Sequence, residues 1–481
     1  MNILLINPQL YGVQSEPRLP LGLGYIASVL RNDGHNIKVV DANALKLSDD
    51  QIEKLINESR CDAAGLTGLI TQFKQVQRLA SIIRKNSNAI TVLGGGLASA
   101  VPEVILRKTD IDIVVIGEGE ETASDLFRCI EKRVSLDGVK GIYFKKDDKI
   151  FKTERRDSIS DISSLPFPAW DLFPMERYFD NGVMCMPKRR ISIITSRGCP
   201  YQCTFCFHGI FGHRYRARTA ENVFREIELL YQQYNIKGFV FEDDTFVLDK
   251  KRVYRLCDLI TENRLKVYWT CNARVNLVDE ELIRHVKRAG CVEISYGIES
   301  GNQAQLDKIN KGINVEQAYR VINMTKRAGI MTHGFIMIGI PGETTDTVHD
   351  SIEFCKRAGL QAEFTILTPI PGSKIYQDAV QANAMKATND DLVENWGSWL
   401  NRVLANFTNL PDEKLIELKR MAEKEIFNDY YKKNIIYIVR MFILEFRING
   451  FFAVLNRFKR GVKLFIRIKK GLDMREEPKS I

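Results

Sequence analysis

Ser196-Arg197-Gly198-Cys199-Pro200-Tyr201-Gln202-Cys203-Thr204-Phe205-Cys206 is the stretch on which the reading of the chain turns. It places three cysteines at C-x3-C-x2-C, directly after Ile191–Thr195, an apolar run that predicts a buried strand. Thiolates on one short loop can wrap a single iron–sulfur cluster, because soft sulfur ligands match iron. A [4Fe–4S] cluster asks for about four such ligands, and this loop supplies three. With no fourth cysteine, one iron keeps an open position, as catalytic metal sites do. A zinc site with a distant histidine would favour paired C-x2-C units, which are absent.

Outward from the loop, a β/α series runs from Arg190 to about Val380. Strands are expected at Gly238–Phe241, Val267–Thr270, Val292–Tyr296, Thr332–Ile338 and Phe364–Leu367, with helices such as Thr219–Tyr234, Lys250–Glu262 and Asp279–Ala289 between them. Six such units suit a partial (β/α)6 TIM-like barrel, whose chemistry collects at the carboxyl ends of the strands. Polar residues cluster there in sequence: Glu242-Asp243-Asp244, Asn272 and Arg274, Glu299-Ser300-Gly301, and Gly339-Ile340-Pro341-Gly342-Glu343.

Upstream, residues 1–146 alternate apolar runs (Asn2–Ile6, Ile37–Val40, Ala63–Thr67, Ile90–Leu93, Ile113–Ile116, Ile142–Phe144) with helical patterns. That alternation predicts a doubly wound, Rossmann-like parallel sheet with ligands at its carboxyl edge. Gly65-Leu66-Thr67-Gly68, Gly94-Gly95-Gly96 and Gly117-Glu118-Gly119-Glu120 fall on that edge, where glycines serve turn geometry as often as ligands. Residues 147–187, with Ser-Leu-Pro-Phe-Pro at 164–168 and Trp170, read as a linker. The core follows at 188–385, then a helical C-terminal region at 386–481.

The 481 residues suit two or three domains, and 45% hydrophobic with 27% charged residues is ordinary for globular cores. Met1–Asn7 lacks a basic n-region and reads as a strand, not a signal peptide. The longest uncharged stretch, near Ala89–Val101, is short and broken by glycines, so no spanning helix is expected. Cys61, Cys129, Cys185, Cys257, Cys271, Cys291 and Cys355 read as reduced, mostly buried thiols, which implies the cytoplasm. The net charge of +9 lies wholly in residues 432–481, with thirteen Lys or Arg and four Asp or Glu. The body is neutral, which argues against nucleic acid. The tail is a basic amphipathic stretch, suited either to a membrane surface or to capping the barrel.

Cys199, Cys203 and Cys206, with Phe205 between the last two, resemble the motif of radical S-adenosylmethionine (SAM) enzymes. The resemblance implies that SAM chelates the open iron, with Phe205 near its adenine. Asp244 stands where the family's acidic motif receives the SAM amino group. Asn272, Arg274 and Glu299 look like contacts to SAM or substrate, and Gly339 like part of the turn beside the adenine. The first domain is similar to cobalamin-binding modules. That likeness rests on Pro20-Leu21-Gly22-Leu23-Gly24-Tyr25 and on the glycine loops, and it implies contacts from Gln9, Leu21, Gly22, Thr67, Gly94, Gly95, Gly117 and Glu118.

The domain order resembles the branch of the anaerobic magnesium-protoporphyrin IX monomethyl ester cyclase and the class B radical SAM methyltransferases. It implies a 5′-deoxyadenosyl radical made at the [4Fe–4S] cluster and methylation of an unactivated carbon of a small or lipid-like metabolite. An oxidative cyclisation or rearrangement is the alternative, and a non-catalytic cobalamin or SAM regulator a third reading. A one-electron donor such as flavodoxin or ferredoxin would serve the cluster, and the tail leaves peripheral membrane contact open. One departure is informative. Where such modules carry Asp-x-His-x-x-Gly, this chain reads Asn7-Pro8-Gln9-Leu10-Tyr11-Gly12. A carboxamide is a poor cobalt ligand beside imidazole, so bound cobalamin is expected to lack a histidine lower ligand.

Overall fold

Residues 1–10, 17–147, 149–179, 185–385, 390, 393–394, 403–433, 435–456, 459 and 462 are described by the structure, a computed structural model. The first apolar runs become β1 (Asn2–Asn7), β2 (Asn36–Asp41), β3 (Ala63–Thr67), β4 (Ile90–Gly94), β5 (Ile113–Val115), β6 (Ile142–Lys146) and β7 (Lys149–Lys152). They form one sheet in the order β2-β1-β3-β4-β5-β6-β7. Strands β1 to β5 are parallel. Strand direction alternates side chains between faces: Ile3 and Leu5 enter one core, Leu4 and Ile6 the other. Helices Leu21–Asn32 and Glu120–Lys132 cover the first face, and Asp49–Ser59, Phe73–Asn86 and Pro102–Lys108 the second.

Two expectations need correction. Strands β6 and β7 run antiparallel, so the sheet is mixed at one edge. Strand β7 also falls inside the segment read as linker from 147, so the sheet extends to Lys152. The described residues in the rest of that segment are packed on both domains. Trp170 is buried, the Ala169 amide donates to the Gly24 carbonyl, and the Tyr178 hydroxyl donates to Asp41 at 2.6 Å. It fills the seam between the two sheets.

The second series gives β8 (Arg190–Ile193), β9 (Ser196–Arg197), β10 (Arg216–Ala217), β11 (Gly238–Phe241), β12 (Tyr268–Ala273), β13 (Cys291–Glu299), β14 (Met331–Ile338) and β15 (Gln361–Ile366). Six of them form a parallel sheet in chain order, β8-β11-β12-β13-β14-β15, as a partial barrel requires. Strands β9 and β10 pair separately and antiparallel, Arg197 opposite Arg216, and so clamp both ends of the cysteine loop. A single core cluster contains residues of both sheets, Ile3 and Leu5 together with Ile193, Phe241 and Trp269.

Helix Asp412–Lys433 packs Leu415, Leu418, Ala422 and Ile426 into the same core. Helix Ile435–Asn449 packs Met441 against Cys185, Met186, Val292 and Met331, at the amino ends of the barrel strands. Part of the expected basic tail is therefore a capping helix; most of 457–481 lies outside the described residues.

Candidate active site

The cysteine loop leaves β9 through Gly198, whose φ of +81° suits glycine. A Cβ there would stand 2.3 Å from the Arg214 carbonyl oxygen, so the loop also folds back too closely for any side chain. All three thiols are free. Cys206 is turned back toward Cys203 by a backbone hydrogen bond of 3.1 Å, and their thiols also interact. Arg274, from the end of β12, donates from Nη1 to Cys203 Sγ at 3.4 Å and lies 3.6 Å over the Tyr201 ring. The Lys311 ammonium sits 5.7 Å from the Phe205 ring centre and pairs with Glu299 at 2.6 Å. A hydrogen bond from Cys206, then the Lys311 and Arg274 charges, pull the Cys203 thiol down to about 6 against the effect of burial. Burial first, then the Asp244 charge, raise Cys199. Cys203 and Cys206 in contact, Cys199 on the same loop and two cations beside Cys203 suit an iron–sulfur cluster, whose sulfurs carry negative charge.

Asp244 is open to solvent, yet enclosure by surrounding protein and then the Asp243 charge raise its carboxyl. Asp243 beneath it is fully committed: it accepts from Thr195 N, Thr195 Oγ1 and Ser196 Oγ at 2.7, 2.5 and 2.6 Å. The second-strand acidic pair thus divides into one residue bracing the loop and one facing outward. Phe205 and the turn at Gly339 share a small apolar cluster, with Met337, Ile340, Leu367 and Ile375. Asn272 is half-buried at the end of β12. Arg274 and Glu299, expected as contacts to SAM or substrate, have protein partners around the cysteine loop: Cys203, Tyr201 and the Lys311 carbonyl for one, Lys311 Nζ for the other. Glu299 holds this position with a left-handed φ of +70° at an irregularity in the β13–β14 pairing. Lys311 carried no signal in the sequence; it meets Glu299 only once β13 has formed.

Glu343 braces the Gly339 turn by accepting from its amide at 2.5 Å. Burial pushes its carboxyl up to about 7. The folded protein therefore retains a proton that the unfolded chain gives up near 4.5, and stability falls as pH rises from there to about 7. The full effect is on the order of 3 kcal/mol. Urea midpoints measured across this window should decline less in Glu343→Gln than in the wild type; parallel declines would exclude Glu343 as the source.

Across from the cysteine loop lies the carboxyl edge of the first sheet. Thr67, Gly94 and Gly95 end or follow β3 and β4, Gly117 follows β5, and Leu21 and Gly22 open the first helix. A Cβ on Gly22 or Gly94 would meet nothing within 4 Å, so this edge keeps the open cradle that a bulky cofactor needs. A Cβ on Gly96 or Gly117 would stand 3.9 or 3.8 Å from Ile210, a residue of the cysteine-loop segment. Gln9 donates to the Leu47 carbonyl and Asn7 to Asp41 at 2.9 Å, so neither carboxamide serves the other. His35, the one histidine before residue 208, precedes β2 and contacts Phe127.

Glu118, expected on the cofactor edge, ion-pairs with Arg216 at 2.5 Å and accepts from the Ile159 amide. Its neighbour Glu120 pairs with Arg197 at 2.5 Å, and all four side chains are buried. The Arg197 guanidinium is held 5.2 Å from the rings of both Tyr25 and Phe211. Nothing in the sequence links Arg197 to Glu120, since only the packed domains bring them together.

Sulfur ligands on one side of this seam and a glycine cradle on the other equip a protein to couple an iron–sulfur cluster to a second, larger cofactor. Residues 193–355 match the radical SAM superfamily, and residues 18–127 match the B12 binding domain. The chain belongs to the radical SAM enzymes that carry a cobalamin-binding domain, and its cofactors are a [4Fe–4S] cluster, SAM and cobalamin. An uncharacterized methyltransferase of Pyrococcus horikoshii is 32% identical over 473 residues, covering 96% of this chain and 98% of that protein. The anaerobic magnesium-protoporphyrin IX monomethyl ester cyclase of Rubrivivax gelatinosus is 29% identical, over 85% of this chain and 77% of its own length. The radical SAM methyltransferase TsrM of Kitasatospora setae, solved with cobalamin and a [4Fe–4S] cluster, shares the fold. Its TM-score is 0.69 at 21% identity, covering 80% of this chain and 79% of that one.

Proposed function

We propose that the chain is a C-methyltransferase acting on an unactivated carbon of a small or lipid-like molecule. The observation that carries this reading is the facing of the two sites, the cysteine loop packing through Ile210 against the glycine cradle. Bound at these sites, a cluster with SAM would supply radical chemistry and cobalamin would supply methyl-transfer chemistry. The division of labour follows the sequence, with cobalamin on residues 1–146 and the added hairpin strand, and the radical SAM core on 188–385.

The chain's own residues then have defined tasks. Cys199, Cys203 and Cys206 hold the iron, and Arg274 with Lys311 offsets the sulfur charge. Asp244 offers an outward carboxylate to an ammonium group, while Phe205 and the Gly339 turn offer an apolar wall to a planar ring. The cradle residues Gln9, Leu21, Gly22, Thr67, Gly94, Gly95 and Gly117 would hold cobalamin, and none of them is a histidine. Burial of the seam keeps water from reactive species. A flavodoxin or ferredoxin is the natural one-electron donor.

Anaerobic incubation of the reduced, reconstituted protein with methyl-labelled SAM tests this. Transfer of the label to a product heavier by one methylene is the expected result. Production of 5′-deoxyadenosine with no added methylene would favour the second reading, an oxidative cyclisation, which the similarity to the protoporphyrin ester cyclase supports. No 5′-deoxyadenosine at all would leave a binding protein.

A further inference from the structure

We propose that the C-terminal end of the chain seats the protein on an anionic bilayer, with the cofactor face turned away from the lipid. Helix Ile435–Asn449 uses its inner side on the barrel, burying Met441 and Glu445. Its outer side presents Val439, Ile443 and Phe446, spaced as one helical stripe and 51, 49 and 54% exposed. Gly450, with a φ of +80°, ends the helix, and Phe451, Phe452 and Leu455 continue the apolar surface at 61, 77 and 37% exposure. A run of large apolar side chains in water is costly and marks an interaction surface.

The charge of the adjoining sequence names the partner. Residues 432–481 hold thirteen Lys or Arg against four Asp or Glu, and the rest of the chain is balanced. One of those four acids, Glu445, is buried, accepting from the Cys185 amide and Asn449 Nδ2. The stripe is thus adjoined by a strongly cationic sequence, which attracts anionic headgroups and disfavours a second copy bringing the same charge. No described helix is long and apolar enough to cross a membrane, so the segment would lie on the surface. The helix contacts residues at or before the starts of β8, β13 and β14, whereas Cys199, Asp244 and Glu299 follow or end strands. Lipid and cofactors therefore occupy opposite ends of the barrel.

Flotation of the full-length protein with phosphatidylcholine vesicles, with or without phosphatidylglycerol, tests the proposal. Binding is expected to be at least about tenfold stronger with the anionic lipid and to weaken in high salt. Combined Phe446→Ser, Phe451→Ser and Phe452→Ser changes, all at exposed positions, should reduce it by about tenfold or more with an unchanged circular dichroism spectrum. Arg457→Gln, Lys459→Gln and Arg460→Gln together should remove the preference for anionic vesicles. Absence of vesicle binding, or equal binding by the serine variant, would overturn the proposal. So would a dimer in light scattering that the serine variant abolishes, which would give the stripe to a second copy.

Discussion

Arg197→Met is expected to destabilise the folded chain by about 3–5 kcal/mol, the usual penalty for removing one partner of a buried ion pair. Arg197 and Glu120 are 4 and 5% exposed at the side chain and 2.5 Å apart. Glu118 keeps Arg216 in the variant, but Glu120 loses its cation and stays out of water. Urea unfolding measures the loss. Glu120→Met combined with Arg197→Met should recover much of the loss, because no lone charge remains buried. Two independent penalties that simply add would show that the pair is not coupled. The functional stake is that Arg197 lies two residues before Cys199, so the same contact anchors the cysteine loop against the first sheet.

That contact also shows where sequence reading stops. Strands β1 to β5 and the six barrel strands were legible because buried parallel strands are short apolar runs between amphipathic helices. The Ile142–Phe144 run was found as a strand, but not its direction. Its partner, Lys149–Lys152, has two lysines in four residues and no apolar run to find. The cysteine loop was legible because its chemistry is local, three ligands within eight residues. Arg197 is on β9 and Glu120 opens helix Glu120–Lys132, 77 residues apart, so no spacing rule connects them. Arg274 and Glu299 were found as polar residues at strand ends, but their partners depend on Lys311, whose place is set by the turn after helix Gln303–Lys308.

Cys203→Ala is expected to lower 5′-deoxyadenosine formation by at least about a thousandfold, equivalent to about 4 kcal/mol of barrier. The reason is ligand count. The loop offers three thiols, and with two left a cluster has lost half of an ordinary sulfur set. Serine at 203 should do no better, since a hard oxygen is a poor match for iron in such clusters. The change also removes one of two acceptors for the buried Arg274 guanidinium, whose remaining hold is the Lys311 carbonyl and the Tyr201 ring. Iron content and iron–sulfur absorbance after anaerobic reconstitution should fall together with product. Cys257→Ala and Cys355→Ala are the controls, because both thiols are buried in the hydrophobic core and should leave iron unchanged. Arg274→Met separates ligation from tuning. It keeps all three thiols, so iron should be retained, while loss of a positive hydrogen-bond donor lowers the cluster's reduction potential. Wild-type iron and product in Cys203→Ala would end the three-thiol assignment; wild-type potential in Arg274→Met would end the tuning role alone.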